Sequence, residues 1–402
     1  MKKKVLVSGI QSSGRIHIGN YFGAMKQNID LPNNSDFDSY IFIADYHSMT
    51  SLTNASERRK SSFDLACAYL ACGLDTEKVA LFKQSDVPEH TELSWILSTI
   101  TPMRMLELAH SYKDKKAKSL IEINNNNADY ARFLNKIKNL SENDLLELSK
   151  LEGWNATKES QQNNIKVSEF RFLIFAFLNL APSNVGLFTY PVLMAADILM
   201  YQADIVPVGK DQAQHVEMTR EIGGKFNRAY GQDFFKMPQA YIKKEVEIVP
   251  GTDGEKMSKS KGNVIPLFGT DEEIRKAVMS IVTDAKSPSD VVNPDENNIY
   301  NIHKLFLSNS ENSESGNSDI EDLRNRFLKV GKYEGGSYSY KEAKESLYEA
   351  IIAFVSPMCE RYDYYQSHPD EVYAILEKGK VNAQAKARET MSEVRKIVGL
   401  DN

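Results

Sequence analysis

Cysteine is scarce in this chain. Its 402 residues include three cysteines, Cys67, Cys72 and Cys359, at spacings that match neither a zinc ribbon nor a redox pair. A metal cluster held by four thiolates is therefore excluded. An odd, unpatterned set of thiols fits a reducing compartment, so we expect a cytoplasmic protein with no dedicated protein metal site.

A long hydrophobic run is also lacking. The most apolar segment, 170–180, contains Arg171 and Asn179 and falls well short of the roughly 20 residues that a bilayer crossing needs. The apolar stretch after Lys4 is broken by Ser8 and Gly9, which argues against a signal peptide. We expect no membrane span.

An excess of positive charge is missing as well. The net charge of −6 does not indicate a nucleic-acid-binding protein, but a local basic face would be enough to bind phosphates. With 42% hydrophobic and 26% charged residues, the composition is that of a globular protein. Its length predicts two or three domains.

Short β-branched or aromatic runs alternate with helical patterns in the first part of the chain. Strands are predicted at 4–10, 40–44, 79–82 and 204–209, and helical spacing follows the first three. This alternation predicts an α/β fold with a parallel sheet. Ligands of such sheets bind at the carboxyl ends of the strands.

Two other regions have a different character. Residues 119–183 are rich in asparagine and polar residues and contain a capping box at Ser141 to Asp144, which predicts a helical insertion into a domain spanning 1–270. Residues 271–379 have helical spacing and are expected to form a separate helical domain. The last segment, 380–402, is predicted to be a helix that packs back on the first domain.

The turn after the first predicted strand has the features of an anion site. Gly9, Gly14 and Gly19 leave room for a phosphate at the start of a helix, whose unpaired N–H groups attract negative charge. His17 and Asn20 add directional donors. A plain glycine-rich surface turn would look the same, so this motif alone does not decide the function.

A second motif contains two lysines. Lys256 and Lys259 lie in the stretch Lys256-Met257-Ser258-Lys259-Ser260, which glycines flank. When the α-phosphate of ATP is attacked, charge builds on the departing pyrophosphate, and positioned ammonium groups stabilise it. The flanking glycines favour a loop that closes and opens. A solvated lysine-rich turn is the alternative.

Together, and in this order, the two motifs resemble those of the class I aminoacyl-tRNA synthetases, and the chain is similar to the bacterial tryptophanyl-tRNA synthetases among them. The resemblance is colinear and covers nearly the whole chain outside 119–183. It rests on the segments 7–11, 19–21, 45–47, 84–88, 190–199 and 206–215.

This resemblance implies a Rossmann-like catalytic domain, Mg²⁺-bound ATP, an adenylate intermediate and a homodimer. It implies that L-tryptophan is activated and transferred to tRNA(Trp). The tryptophan site would comprise Asp197, as acceptor of the indole N–H, with Met194, Tyr190, His47, Val206, Val208, Gln212 and Gly9. The ATP site would comprise Gln11, Ser12, Ser13, Gly19, Asn20, Gly209, Lys210, Asp211, Lys256, Met257, Ser258, Lys259 and Ser260. The catalytic residues would be Lys256, Lys259, His17 and Gln11.

The chain departs from the family at two of these positions. Ser12 stands where many relatives have proline, and Lys210 where an acidic residue is common. For tRNA, the basic residues near the C-terminus offer a phosphate-binding face, with a solvated helix surface as the alternative. They are Lys378, Lys380, Lys386, Arg388, Arg395 and Lys396.

Three other functions compete with this interpretation. A tyrosine-specific synthetase would share the fold, but a phenol both donates and accepts and calls for a different pocket. A small-molecule adenylyltransferase could share the first turn but would not charge tRNA. A non-catalytic RNA-binding paralogue would show no amino-acid-dependent exchange, but the presence of both loop lysines and of Asp197 argues against it.

Overall fold

The computed structural model describes residues 3–12, 14–34, 36–109, 184–242, 249–283, 293–308, 313–328 and 339–401. The predicted insertion, 119–183, lies wholly outside these ranges, and so do its capping box at Ser141 to Asp144 and the apolar segment 170–180. The chain forms two compact units. One consists of Met1–Thr101 with Val192–Asn402, and the other consists of Pro102–Pro191. The domain boundaries expected at residues 270 and 379 remain predictions.

A five-stranded parallel sheet forms the centre of the first unit, in the order β3-β2-β1-β4-β5. The strands are β1 (Lys4–Ile10), β2 (Phe37–Ile43), β3 (Val79–Lys83), β4 (Ile205–Pro207) and β5 (Gln239–Tyr241). The first four confirm the predicted alternation. The short strand β5 was not predicted, because its three residues carry no β-branched run.

The strand order creates a crevice at one end of the sheet. From β1 the chain adds β2 and β3 on one side, and then returns to add β4 on the other side of β1. In the register of the sheet, Leu6 of β1 is paired with Ser39 of β2 on one side and with Ile205 of β4 on the other. Ligands of doubly wound sheets bind where the strand order reverses, outside the carboxyl ends of the strands. In this chain that place follows Ile10 and Pro207.

The described helices follow in chain order. They are α1 (Ile18–Asn20), α2 (Lys26–Asn34), α3 (Asp45–Ser48), α4 (Ala55–Ala71), α5 (Glu89–Ser98), α6 (Met103–Glu107), α7 (Val185–Leu199), α8 (Ala213–Ala229), α9 (Asp271–Met279), α10 (Asn298–Leu307), α11 (Ser313–Phe327), α12 (Tyr340–Ser367) and α13 (Pro369–Val398). A π-helical turn, Tyr21–Met25, joins α1 to α2. Asn54 caps α4, and capping boxes at Thr270 and Ser339 start α9 and α12.

One hydrophobic core joins the sheet to the C-terminal helices. Leu6 and Ile41 of the sheet belong to the same buried cluster as Ile274 of α9 and Ile351 of α12. The helices of 271–379 therefore bury their apolar faces in a core shared with the strands. Within the described part of the chain, no helix is both long and apolar enough to cross a membrane.

The C-terminal helix α13 packs directly on strand β3. It begins at Pro369 and not at residue 380 as expected, because Pro369 stands in the first turn and His368 precedes it in a non-helical conformation. Gly379 lies so close to the strand that a Cβ there would be 2.0 Å from the carbonyl oxygen of Leu81. Only a residue without a side chain fits this contact.

We expect Gly379→Ala to destabilise the protein. The clash is with backbone, so the helix must move away from β3, at a cost of about 2 kcal/mol or more in the free energy of unfolding. Gly23→Ala is the matched control, since nothing lies within 4 Å of a Cβ at that helical position. Denaturant titration of both variants measures the difference. Equal stability of the two would contradict the packing argument.

Candidate active site

The glycine turn after β1 is held in place by the segment that follows the lysine loop. Ile18 donates its backbone N–H to the carbonyl of Ile265 at 3.0 Å, and Leu267 donates to the carbonyl of Ile16 at 3.1 Å. The Arg15 guanidinium makes two hydrogen bonds of 2.7 Å to the carboxylate of Glu273 at the start of α9. The two predicted motifs are therefore parts of one structure.

Lys259 reaches across to this turn. Gly14 has a positive φ of 54°, and a Cβ built on it would lie 3.7 Å from the Nζ of Lys259. The two residues line a cavity of about 440 Å³, together with Arg15 and Asn20. Partial burial lowers the pKa of the Lys259 ammonium. An anionic chain of phosphates in this cavity would meet both a backbone turn and a positioned cation.

The lysine loop is folded around a buried asparagine. Asn263 accepts from the backbone N–H of Ser258 at 2.7 Å and donates to the Asp253 carboxylate at 2.7 Å and to the Lys256 carbonyl at 3.2 Å. Met257 is buried, and its Cβ would be 3.1 Å from a Cβ at Gly19. Glycine at position 19 therefore permits the loop to approach the turn. Sequence reasoning missed Asn263, because it lies outside the lysine motif and no residue pattern marked it as functional.

His17 is buried at the start of α1, beside Gly19. Its Nδ1 has no hydrogen-bond partner among the described residues, and a Cβ at Gly19 would lie 2.9 Å from that atom. Burial, and then the charge of Lys259, lower the pKa of His17 to about 4. The ring is therefore neutral at pH 7 and can serve as a hydrogen-bonding group, not as a cation.

The lowered pKa of His17 predicts a pH effect on stability. Between the folded pKa of about 4 and the usual value of 6.5, the unfolded chain binds more protons, so stability rises with pH and is constant above this window. We expect His17 to contribute about 1 to 2 kcal/mol to the rise between pH 5 and 6.5. His303 contributes a pH effect on stability in the same direction, because burial and the charge of Arg326 lower its pKa to about 4. Denaturant titrations of wild type and His17→Asn across this range test the prediction. An unchanged slope in the variant would refute it.

The second glycine turn lies beside the first. Gly209 follows β4 and precedes a 3-10 turn, Lys210–Gln212, that leads into α8. The hydroxyl of Ser8 on β1 donates to the carbonyl of Pro207 at 3.0 Å, which joins the carboxyl ends of the two strands. The structure thus places Gly209, Lys210 and Asp211, which are predicted for the ATP site, at the same edge of the sheet as the first turn.

Asp197 is fully buried within α7 and is surrounded by donors. Its Oδ2 lies 2.8 Å from Nε2 of His47, and its Oδ1 lies 2.6 Å from Nδ1 of His90. The Gln84 amide donates to Oδ1 at 2.8 Å. Burial raises the pKa of Asp197, but the hydrogen bonds of His47 and His90 outweigh it and hold the pKa at about 2. The carboxylate is therefore ionised at neutral pH.

The other residues predicted for the site lie in several settings. The amide of Gln11 donates to the hydroxyl of Ser51 at 3.3 Å and, at 3.4 Å, to the carbonyl of His47. Ser12 is buried against Ser62, with 3.2 Å between their hydroxyls. Because Gly9 has no side chain, the Phe42 ring can occupy the space that a Cβ at this position would need.

Six further predicted residues differ in how much the structure shows of them. Val206 is buried, and Met194 and Val208 are partly buried. Ser13 lies outside the described residues, and Tyr190 belongs to the other compact unit. For Asp211, the structure describes only the backbone. The roles expected of these residues stay predictions.

Sequence reasoning missed two residues that contact Asp197. Gln84 and His90 are fully buried, and the Oε1 atom of Gln84 has no partner among the described residues. The segment 84–88 contributed to the family resemblance, but no role was attached to it. Its position at the carboxyl end of β3 was the available signal.

The basic residues near the C-terminus are paired with carboxylates. Arg395 makes two hydrogen bonds to Glu92, at 2.8 and 2.5 Å, and Arg388 lies 3.5 Å from Glu89. The four lysines also form ion pairs, Lys378 with Glu77, Lys380 with Glu377, Lys386 with Glu389 and Lys396 with Glu393. Their charges are largely neutralised locally, which favours the solvated helix surface over a phosphate-binding face.

The parallel sheet, the glycine turn and the lysine loop that meets it define a class I synthetase catalytic domain. The sequence model of the family described as tRNA synthetases class I (W and Y) matches residues 2–134 and 124–356, and the chain belongs to that family. A tryptophan–tRNA ligase of Fusobacterium nucleatum is 41% identical over 394 residues, which cover 98% of this chain and 97% of the relative.

Solved structures give the same result. The crystal structure of tryptophanyl-tRNA synthetase from Campylobacter jejuni complexed with ADP and tryptophan is 36% identical, with a TM-score of 0.72, and covers 98% of this chain and 99% of its own. Tryptophanyl-tRNA synthetase from Mycoplasma pneumoniae is 27% identical with a TM-score of 0.72, over 100% of this chain and 99% of its own.

Proposed function

We propose that this protein is a tryptophan–tRNA ligase. It activates L-tryptophan with ATP to tryptophanyl-adenylate and pyrophosphate, and then transfers the tryptophanyl group to the 3′ end of tRNA(Trp). The observation that carries the proposal is the buried, ionised carboxylate of Asp197 in the same unit as the turn and lysine loop. The tryptophan–tRNA ligases similar to this chain over nearly its full length support it.

Asp197 would recognise the indole ring. Indole offers one N–H donor and no acceptor, and an ionised carboxylate only accepts. A phenylalanine side chain in the same slot would leave the buried carboxylate with an unused acceptor, which is costly in a dry site. Met194, Val206 and Val208, with His47, would form the walls of the slot.

The activation step joins a carboxylate oxygen of tryptophan to the α-phosphorus of ATP. The bond from that phosphorus to the bridging oxygen breaks, and pyrophosphate leaves with the electron pair. Lys259, and Lys256 in the same loop, would stabilise the developing charge, while the turn of Gly14 to Asn20 would hold the phosphates. ATP enters as its magnesium complex, so the ion arrives with the substrate.

The remaining parts of the proposal concern assembly and location. We infer a homodimer that acts in the cytoplasm and binds tRNA(Trp). Because the basic residues of α13 are paired with carboxylates, tRNA binding would involve other surfaces as well.

Amino-acid-dependent ATP–pyrophosphate exchange with each of the twenty amino acids tests the function. Exchange stimulated by tryptophan, followed by charging of tRNA(Trp), is the expected result. Stimulation by tyrosine alone would replace the proposal with the tyrosine-specific alternative. Exchange without tRNA charging would favour an adenylyltransferase, and no exchange a non-catalytic RNA-binding paralogue.

A further inference from the structure

A buried chain of three polar side chains ends at the proposed recognition carboxylate. Nε2 of His90 lies 2.8 Å from the hydroxyl of Tyr201, and Nδ1 of the same ring lies 2.6 Å from Oδ1 of Asp197. His90, Tyr201 and Asp197 are each 0% exposed. The proposed reaction makes no use of His90 or Tyr201, yet burying two such polar groups is costly unless every hydrogen bond is made.

The proton positions in this chain follow from the carboxylate. An ionised carboxylate only accepts, so Nδ1 of His90 carries the proton that it donates to Asp197. When the ring is neutral, its other nitrogen is an acceptor, and the Tyr201 hydroxyl, 2.8 Å away, donates to it. Burial, and then the charge of Asp197, raise the pKa of Tyr201 well above its usual value, which keeps that hydroxyl protonated. Each group thus orients the next one.

The two oxygens of Asp197 are not equivalent. Oδ1 accepts from two buried donors, Gln84 and His90, and each carboxylate oxygen has about two acceptor positions. Oδ2 contacts His47 alone among the described residues, at 2.8 Å. Oδ1 is therefore saturated, whereas Oδ2 retains one acceptor position for a ligand.

We propose that His90, held by Tyr201, is a positioning residue that determines substrate specificity: the chain anchors Oδ1 of Asp197, so that Oδ2 alone accepts the indole N–H. The terminal torsion of an aspartate is broad and intrinsically poorly defined, so the orientation of the carboxylate has to come from its partners. The inference rests on the proposed function, because it assumes that Asp197 faces the indole ring.

The inference makes a specific claim about recognition of the N–H group. Weakening the anchor lets the carboxylate turn, which lowers the benefit of an N–H donor in the substrate without affecting phosphate chemistry. The matched pair of substrates is tryptophan and its benzothiophene analogue, in which sulfur replaces the N–H with little change in shape. The ratio of their kcat/KM values measures recognition of the N–H alone.

Tyr201→Phe removes one hydroxyl and keeps the ring. We expect the KM for tryptophan in pyrophosphate exchange to rise by about five- to tenfold, and the ratio of kcat/KM values to fall by a similar factor. The kcat and the KM for ATP should stay within about twofold, a split that general loosening of the fold would not produce. Tyr40→Phe is the control, because the Tyr40 ring stacks on Tyr201 at 4.5 Å but has no contact with His90 among its described interactions.

A second variant and a direct measurement protect the test against misfolding. In His90→Asn the amide nitrogen replaces Nδ1 as a donor to Asp197 while the link to Tyr201 is lost, so we expect the same fall in the ratio. Nitrogen-15 NMR of the wild-type protein should show His90 protonated on Nδ1. A neutral ring protonated on Nε2 would overturn the inference whatever the variants do.

The outcomes separate this inference from the proposed function. Suppose that the wild-type protein prefers tryptophan to the benzothiophene analogue. If Tyr201→Phe or His90→Asn then leaves the ratio of the two kcat/KM values unchanged, the inference is overturned and the proposed function stands. A wild-type protein with no tryptophan-dependent exchange overturns the proposed function and the inference with it. If kcat and the affinity for ATP fall together in these variants, the hydrogen-bonded side chains of Tyr201 and His90 have a general structural role, and the inference is overturned.

Discussion

Lys259→Ala should slow adenylate formation by about 100- to 1,000-fold, the usual effect of removing one preorganised group that stabilises transition-state charge. The ammonium lies over Gly14 in the cavity of the glycine turn, where the departing pyrophosphate would develop its charge. Tryptophan itself carries no phosphate, so its binding should be almost unchanged. Single-turnover adenylate formation and equilibrium binding of tryptophan measure the two quantities separately.

The same loop supplies a control for this prediction. Lys261 lies two residues further on, is exposed, and is ion-paired with Glu255. Lys261→Ala removes the same charge from the same loop but should change the rate by no more than about threefold, because exposed ion pairs contribute little. Equal losses in the two variants would mean that only the net charge of the loop matters. An unaffected rate in Lys259→Ala would remove that lysine from the mechanism.

Asp197→Asn should raise the KM for tryptophan by about 100-fold or more, since a site built around one hydrogen-bonding group rejects ligands once that group is lost. The substitution keeps the size of the side chain but replaces one acceptor by a donor. That amide would face the donors of Gln84, His90 or His47. The KM for ATP should change little, because the lysine loop and glycine turn are intact. Pyrophosphate exchange with each substrate varied in turn gives both constants.

Loss of stability has to be distinguished from loss of recognition in this variant. Asp204→Asn is the control, since the Asp204 carboxylate accepts from Val5 at 2.8 Å and pairs with Lys236, at the opposite end of β1 from the turn. Both variants should unfold at lower denaturant concentration, but only Asp197→Asn should change the KM for tryptophan. A normal tryptophan KM in a folded Asp197→Asn protein would contradict the assigned role.

Much of the fold was predictable because its signals are local. Periodic apolar runs predicted four of the strands of the sheet, and the strand β1 was predicted with its observed limits, Lys4 to Ile10. The glycine turn and the lysine loop were recognisable because phosphate chemistry requires particular residue types close together in the chain. Strand β5 and the start of α13 were missed, since a three-residue edge strand and a helix boundary leave weak local patterns.

The sequence by itself determined the alternating architecture, the two phosphate-binding motifs and the family resemblance, all of which depend on residues near one another in the chain. Only the tertiary structure showed the hydrogen-bond partners of the Asp197 carboxylate and the ion pairs that join the basic helix α13 to other elements. Asp197 meets His47 and His90 across separations of 150 and 107 residues, and Arg395 meets Glu92 across 303. Burial and hydrogen bonding determine which charged groups are already neutralised and which acceptor positions remain, and those depend on distances that no local pattern encodes.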